Sequence, residues 1–362
     1  MAKIVEMLGA LLVGVLLFNG VYQLAKDFKP SEFGLGKFTH SFTNRFESEQ
    51  ISGFTEDADT LVQSLSTFEK QGKQTYLWLG ASQIHSINKP QPGDRLAVTV
   101  ANATAQSKGS QRRFVQLSEP NANLHELWAL LHHTNERAKL NGVVLAMTYD
   151  DLNEYGIRDS VLPLYKTAPV DESQIDESRV AIGESELDAR DTPQAWLEDL
   201  LVDWIEGGFE PFQKRSLIRS YIEASFKLGI VRLAFAVTKR GQIKIKPKRQ
   251  AWNEEALDRI ISYLQKTSVP LVIYKAPHQP GLVPFYHPRK AYDDYFKNLE
   301  TRIASLDGVT YLDLETIVGQ EHWGLSATMQ PDVFHFTAHG HQLLGKAMDD
   351  AIEQLEVKNA VQ

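Results

Sequence analysis

The 362 residues are 43% hydrophobic and 23% charged, an ordinary globular balance with length for one large domain or two ordinary ones. A net charge of −8 argues against nucleic acid as the main partner, because phosphate binding needs a clustered basic surface. With no cysteine, disulfides, thiolate zinc sites and a cysteine nucleophile are all excluded, while the compartment stays open.

Met7 to Ala25, MLGALLVGVLLFNGVYQLA, is a nearly uncharged run of about the length that crosses a hydrocarbon core. It reads as a membrane anchor occupying residues 1–27. A cleaved signal peptide with Leu8 to Phe18 as its apolar core is the alternative, although no small-x-small cleavage site precedes Lys26. An anchor ahead of a large domain usually exports that domain, so the expected location is membrane-attached, with the domain periplasmic or extracellular.

Residues 28–74 are polar with aromatic punctuation and read as a lead-in, with a helix from Asp57 to Gln71. Tyr76 to Gly80 is the first strong strand, and it stops at Gly80-Ala-Ser82. A continuous apolar run is the signature of a parallel strand covered on both faces, and ligands of open α/β sheets collect beyond the carboxyl ends of such strands. Ser82 stands at such an end, and the small Gly80 and Ala81 allow a tight turn and the approach of a substrate. Leu96 to Val100 is strand-like, and Arg113 to Ser118 is the second strong strand. Leu124 to Leu140 is an amphipathic helix capped by Asn121 or Asn123, and Gly142 to Met147 is a third buried strand.

An acidic loop from Pro163 to Pro193, a largely helical stretch from Trp196 to Val237 and a basic piece from Lys239 to Arg249 then form an insertion at about 160–250. The strand and helix alternation resumes with a helix from Asn253 to Lys266, a strand Pro270 to Tyr274, a helix Lys290 to Leu306 and a strand Val309 to Asp313. Strand, helix, strand order points to a parallel sheet with right-handed crossovers, in one domain over 75–357.

Near the end, Gln330-Pro-Asp-Val-Phe-His-Phe-Thr-Ala-His-Gly-His341 leads from a loop into a helix, Gln342 to Leu355, with Thr337 as a cap. An imidazole takes a proton from a serine hydroxyl when an acceptor holds its other ring nitrogen, and Asp332, three residues before His335, can be that acceptor. His335 and His339 have the four-residue spacing of a helical zinc pair, but no Glu adjoins either one. His339 and His341 therefore read as structural or solvent-facing, and no metal or cofactor is assigned.

Gly80-Ala-Ser82 after a strand, together with Asp332-Val-Phe-His335 before the last helix, resembles the SGNH/GDSL hydrolase superfamily. Within it the chain is most similar to membrane-anchored members such as the alginate O-acetylation proteins and the D-alanyl transfer protein of teichoic-acid modification. The resemblance implies a flavodoxin-like parallel sheet flanked by helices, with Ser82 as nucleophile, His335 as general base and Asp332 as its orienter. Where the family places an oxyanion-binding glycine, this chain has Ser118-Glu-Pro-Asn-Ala-Asn123, and Asp150 stands nearest the family's asparagine in Thr148-Tyr-Asp-Asp-Leu-Asn153. Ser82, Asn121, Asn123, Asp150 and Asn153 are the resulting oxyanion candidates. A carboxylate serves there only when protonated.

The expected function is a serine acyl esterase or O-acyltransferase acting on an acylated cell-surface glycan or lipid-linked polymer. A membrane-bound O-acyltransferase partner is implied by the resemblance alone. The alternatives are a binding or scaffold subunit on the same fold, within a polysaccharide-modifying complex, and a metallo-hydrolase built on the late histidines.

Overall fold

Four apolar strands in one chain need a cover on both faces, and the computed structural model supplies it. It describes residues 16–17, 19–23, 38–169, 245–280, 288–325 and 331–361. Most of the expected anchor, most of the insertion, the helical stretch Trp196 to Val237 and much of the basic piece lie outside the described residues. Among the described residues no helix is long and apolar enough to cross a membrane. The chain divides into two compact units, one of 1–34 with 183–240 and one of 35–182 with 241–362, and nearly all the described residues belong to the second.

In chain order that unit runs β1 (Thr39–Ser41), β2 (Arg45–Phe46), β3 (Glu49–Gln50), β4 (Ser52–Gly53), α1 (Ala58–Lys70), β5 (Gln74–Gly80), α2 (Ser82–His85), β6 (Ser86–Asn88), α3 (Ala97–Ser107) and β7 (Arg112–Ser118). It continues with α4 (Leu124–Asn135), β8 (Gly142–Met147), α5 (Leu162–Thr167), α6 (Pro247–Lys266), β9 (Leu271–Lys275), α7 (Arg289–Ile303), β10 (Val309–Asp313), β11 (Trp323–Leu325), β12 (Pro331–Phe336) and α8 (Ala338–Val361).

Six strands form one parallel sheet in the order β10-β9-β8-β5-β7-β4. Counted from β5 this is the flavodoxin-like order, with β4 added beside β7. The chain leaves β5 on one side to build β7 and crosses to the other to build β8. The topological switch point is therefore the carboxyl end of β5, where Ser82 follows. Strands β7, β8 and β9 are buried along their whole length and β5 at every residue but its first, whereas the edge strand β10 is half-buried. That is why β5, β8 and β9 read as nearly unbroken apolar runs, whereas β7 carries Arg112, Arg113 and Gln116 among its apolar residues.

Helix α3 packs on α8 and β7, and α4 packs on α5 and α6. Trp78 of β5 is fully buried, a contribution of roughly 3 kcal/mol for a side chain of this size, and its indole N–H donates to the Tyr274 hydroxyl of β9 at 3.1 Å. Arg112 of β7 holds Asp349 and Glu356 of α8 at 3.0 and 2.7 Å. Strand β4 pairs only with Gln116 and Leu117, so Phe114 lacks a strand on that side. The Asn102 amide of α3 takes the strand's place, donating to the Phe114 carbonyl at 2.8 Å and accepting its N–H at 3.0 Å.

Three readings of the sequence change here. Leu96 to Val100, strand-like on its β-branched Val98, Thr99 and Val100, is the entry to α3. Its buried residues Ala97, Val98, Ala101, Asn102 and Ala105 recur at helical spacing, and packing against α8 and β7 outweighs local β preference. Asp332 and His335 lie on the short strand β12, paired antiparallel with β11, and not in a loop. Ser52–Gly53, inside the stretch read as a lead-in, extends the main sheet.

Candidate active site

Strand β5 ends at Gly80, Ala81 is extended (φ −94°, ψ −156°), and Ser82 opens the four-residue α2. A Cβ added at Gly80 would lie 2.8 Å from Cβ of Ala146 on β8 and 3.0 Å from Cδ1 of Ile84. Glycine is thus required here by the close approach of β8 and of the turn itself. Ser82 is left 8% exposed at the mouth of the switch point.

The other half arrives on β12. The Asp332 Oδ1 atom accepts the backbone N–H groups of Phe334 and His335 at 2.9 and 3.0 Å, a local loop that fixes the carboxylate against its own strand. Asp332 Oδ2 accepts from His335 Nδ1 at 3.0 Å and from the Asn88 amide at 3.3 Å. Burial pushes the Asp332 pKa up, but the neighbouring imidazole and these hydrogen bonds outweigh it and hold the group below the usual aspartate value. Because a carboxylate can only accept, the His335 proton belongs on Nδ1. Bare Nε2 then faces Ser82 Oγ at 3.0 Å and accepts its hydroxyl proton in a hydrogen bond. Ser82, His335 and Asp332 are at most 8% exposed.

Asn88 ends β6, which pairs with β1, and it also donates to the Thr39 hydroxyl at 2.7 Å. Its side chain rests on Gly324 of β11, where an added Cβ would fall 1.8 Å from Asn88 Cγ. The hairpin that presents Asp332 is in this way shaped around the amide that holds it.

The remaining histidines go elsewhere. His341 is fully buried, accepts the Ala97 N–H on Nδ1 at 3.2 Å and donates from Nε2 to the Ser86 carbonyl at 3.0 Å. Burial pushes its pKa down to about 4, so it is neutral and structural. His85 shares a 2.9 Å hydrogen bond with Ser118 Oγ, and burial, with His335 and His341 nearby, pushes its pKa down to about 3. His339 is exposed, its ring 4.0 Å from that of His322. Among the described residues, the one acidic or imidazole group close enough to share a metal ion is Asp349, Asp350 and Glu353, and Lys108 bridges all three.

At the neighbouring strand ends, Glu119-Pro-Asn-Ala122 forms a turn closed by the Ala122 N–H on the Glu119 carbonyl at 3.1 Å. Asn121 takes the third position with φ 51°, the left-handed conformation that a glycine would occupy at least cost. The Glu119 N–H reaches the Gly80 carbonyl at 3.4 Å, so this loop starts beside the end of β5. Asn123 is the cap of α4: its Oδ1 accepts the Glu126 N–H at 3.0 Å, its own N–H donates to Glu126 at 3.2 Å, and its amide donates to the Gly156 carbonyl. Burial, with Glu154 adding to it, pushes Asp150 up to about 7, so much of it is neutral at neutral pH. The Asn153 carbonyl accepts from Arg249 of α6 at 2.8 Å. Among the described residues the hydrogen bond of Ser82 Oγ is with His335 Nε2.

Sequence reasoning passes over Gln83 and Asn88, both buried beside the three central residues. The available signal is the mixture of polar and apolar residues in Gln83-Ile-His-Ser-Ile-Asn88, which carries no spacing rule of its own.

The sequence matches no protein-family model and no curated protein. By shape it is similar to a GDSL-like lipase from Bacteroides thetaiotaomicron VPI-5482, at 7% identity over 83% of this chain and 99% of that one, with a TM-score of 0.39. It is also similar to an alpha/beta hydrolase enzyme from the metagenome of Lake Arreo, Spain, at 12% identity over 76% and 93% of the two chains, with a TM-score of 0.39. At this depth the likeness says nothing of chemistry.

Proposed function

We propose that the protein is a serine acyl esterase or O-acyltransferase, exported and held at the membrane by its N-terminal segment, acting on an acylated cell-surface glycan or lipid-linked polymer. The observation that carries this reading is the unbroken line of hydrogen bonds from Ser82 Oγ through His335 to Asp332, 3.0 Å at each step. Ser82 Oγ attacks the acyl carbonyl as its proton passes to His335 Nε2, and Asp332 steadies the imidazolium through Nδ1–H. The Ser82 N–H, in a first helical turn without an intrahelical acceptor, and the Asn121 N–H on the adjoining loop hold the oxyanion. His335 then returns its proton to the leaving oxygen, which departs and leaves the acyl group on Ser82. Water or a sugar hydroxyl, deprotonated by the same nitrogen, attacks the acyl carbonyl, and His335 passes that proton to Ser82 Oγ as it leaves.

The resemblance of the Ser82 turn and the Asp332–His335 pair to membrane-anchored SGNH proteins supports the envelope substrate, and an acyl-supplying membrane O-acyltransferase is the matching partner. Turnover of p-nitrophenyl acetate by the purified chain is the direct test. Ser82→Ala is expected to lower the acylation rate by on the order of 10⁴-fold or more. Equal turnover by the two proteins would remove Ser82 as the nucleophile, and no turnover by either would leave a binding or scaffold role.

A further inference from the structure

The residue after Ser82 is a glutamine whose side chain turns inward. Gln83 is 3% exposed, and its Nε2 donates twice, to the Pro277 carbonyl at 2.7 Å and to the Phe334 carbonyl at 2.9 Å. The first acceptor follows β9, and the second is the residue before His335. Both partners are carbonyl oxygens, so the amide can sit only one way round. Its Oε1 is then buried with no hydrogen-bond partner among the described residues. An orphaned buried oxygen costs stability comparable to what two neutral donations return. Stability therefore gains little from this arrangement, and its product is a fixed distance between two segments.

We infer that Gln83 is a positioning residue that sets the separation of Ser82 Oγ and His335 Nε2 by pinning the peptide before His335 to the turn that carries Ser82. The inference rests on the proposed triad. Backbone contact alone does not hold the two segments in register, since β12 pairs with β11 and α2 is a single turn. Side chains supply the ties: Gln83 to Phe334, Asn88 to Asp332 and His341 to Ser86. Among these, the Gln83 tie joins the residue next to the serine with the residue next to the histidine.

The test compares full-length wild type, Gln83→Met and Gln83→Glu for steady-state hydrolysis of p-nitrophenyl acetate and for the rate of labelling by a fluorophosphonate. Both variants keep the length of the side chain and lose the paired donation. Loss of alignment is expected to lower kcat and the labelling rate by on the order of 10²-fold, with KM within about twofold. Circular dichroism and the thermal midpoint are expected to stay near wild type. Wild-type labelling and kcat in Gln83→Met overturn the inference alone. A wild type that is neither labelled nor active overturns the triad and the inference together. If Gln83→Met fails to fold, Gln83→Glu decides, and failure of both to fold assigns Gln83 to the core and ends the proposal.

Discussion

The turn after β5 and the loops after β7 and β8 share one rim of the sheet and use polar side chains in opposite ways. After β5, and on the β12 strand that meets it, side chains aim at one another, Ser82 at His335 and Asn88 at Asp332 across distant segments, and His335 at Asp332 along β12. After β7 and β8, Asn123 and Asp151 each bind groups three residues away along the chain. Asn123 caps α4, and Asp151 accepts both the N–H and the hydroxyl of Thr148 at 2.7 Å. The first arrangement is built over long separations and leaves a proton free to move, whereas the second satisfies local donors and holds loops still.

If that contrast is right, substitutions in the two regions separate in kind as well as size. The largest effect belongs to Asp332→Asn, which cannot accept from Nδ1–H in the same way and favours the wrong imidazole tautomer. Its kcat is expected to fall on the order of 10⁴-fold with stability little changed, and a loss under tenfold would break the claim that Asp332 orients His335. Next is the pH dependence of folding. His341 stays neutral in the fold down to about pH 4, while the unfolded chain takes up that proton near 6.5. Its contribution is full above about 6.5 and is lost as pH falls towards 4. Denaturation at several pH values should show the stability gap between wild type and His341→Gln narrowing by about 3 kcal/mol over that range. The smallest is Asn123→Ala, a lost cap worth about 1 kcal/mol in stability, with kcat within about twofold. A drop in kcat larger than the drop in folded fraction would move Asn123 back among the oxyanion donors.

The sheet is readable from the chain because β5, β8 and β9 are buried on both faces and so carry nearly uninterrupted apolar runs, while β7 sets Phe114, Val115 and Leu117 among Arg113, Gln116 and Ser118. The helix α3 is not, since Ala97, Val100 and Ala101 lie against Gly345 of α8 at the far end of the sequence. The meeting of Ser82 with Asp332 and His335 is readable because a serine at a strand end and an Asp-x-x-His pair each carry a chemical pattern. Gln83 and Asn88 carry none. Their importance comes from acceptors 251 and 244 residues away, which no local spacing reports. The engagement of Asn123 as the cap was also out of reach, because Asn121 and Asn123 are equivalent as caps until Glu126 chooses one.

Ser82 and His335 are separated by 253 residues, and the imidazole arrives on the last strand before the final helix. A growing chain therefore carries the hydroxyl long before its base exists. Until β12 and α8 are complete, the growing polypeptide carries a serine of ordinary reactivity, harmless to any activated acyl donor it passes. A truncation before β12 would return the protein to that silent condition while keeping all six strands of the sheet in the chain.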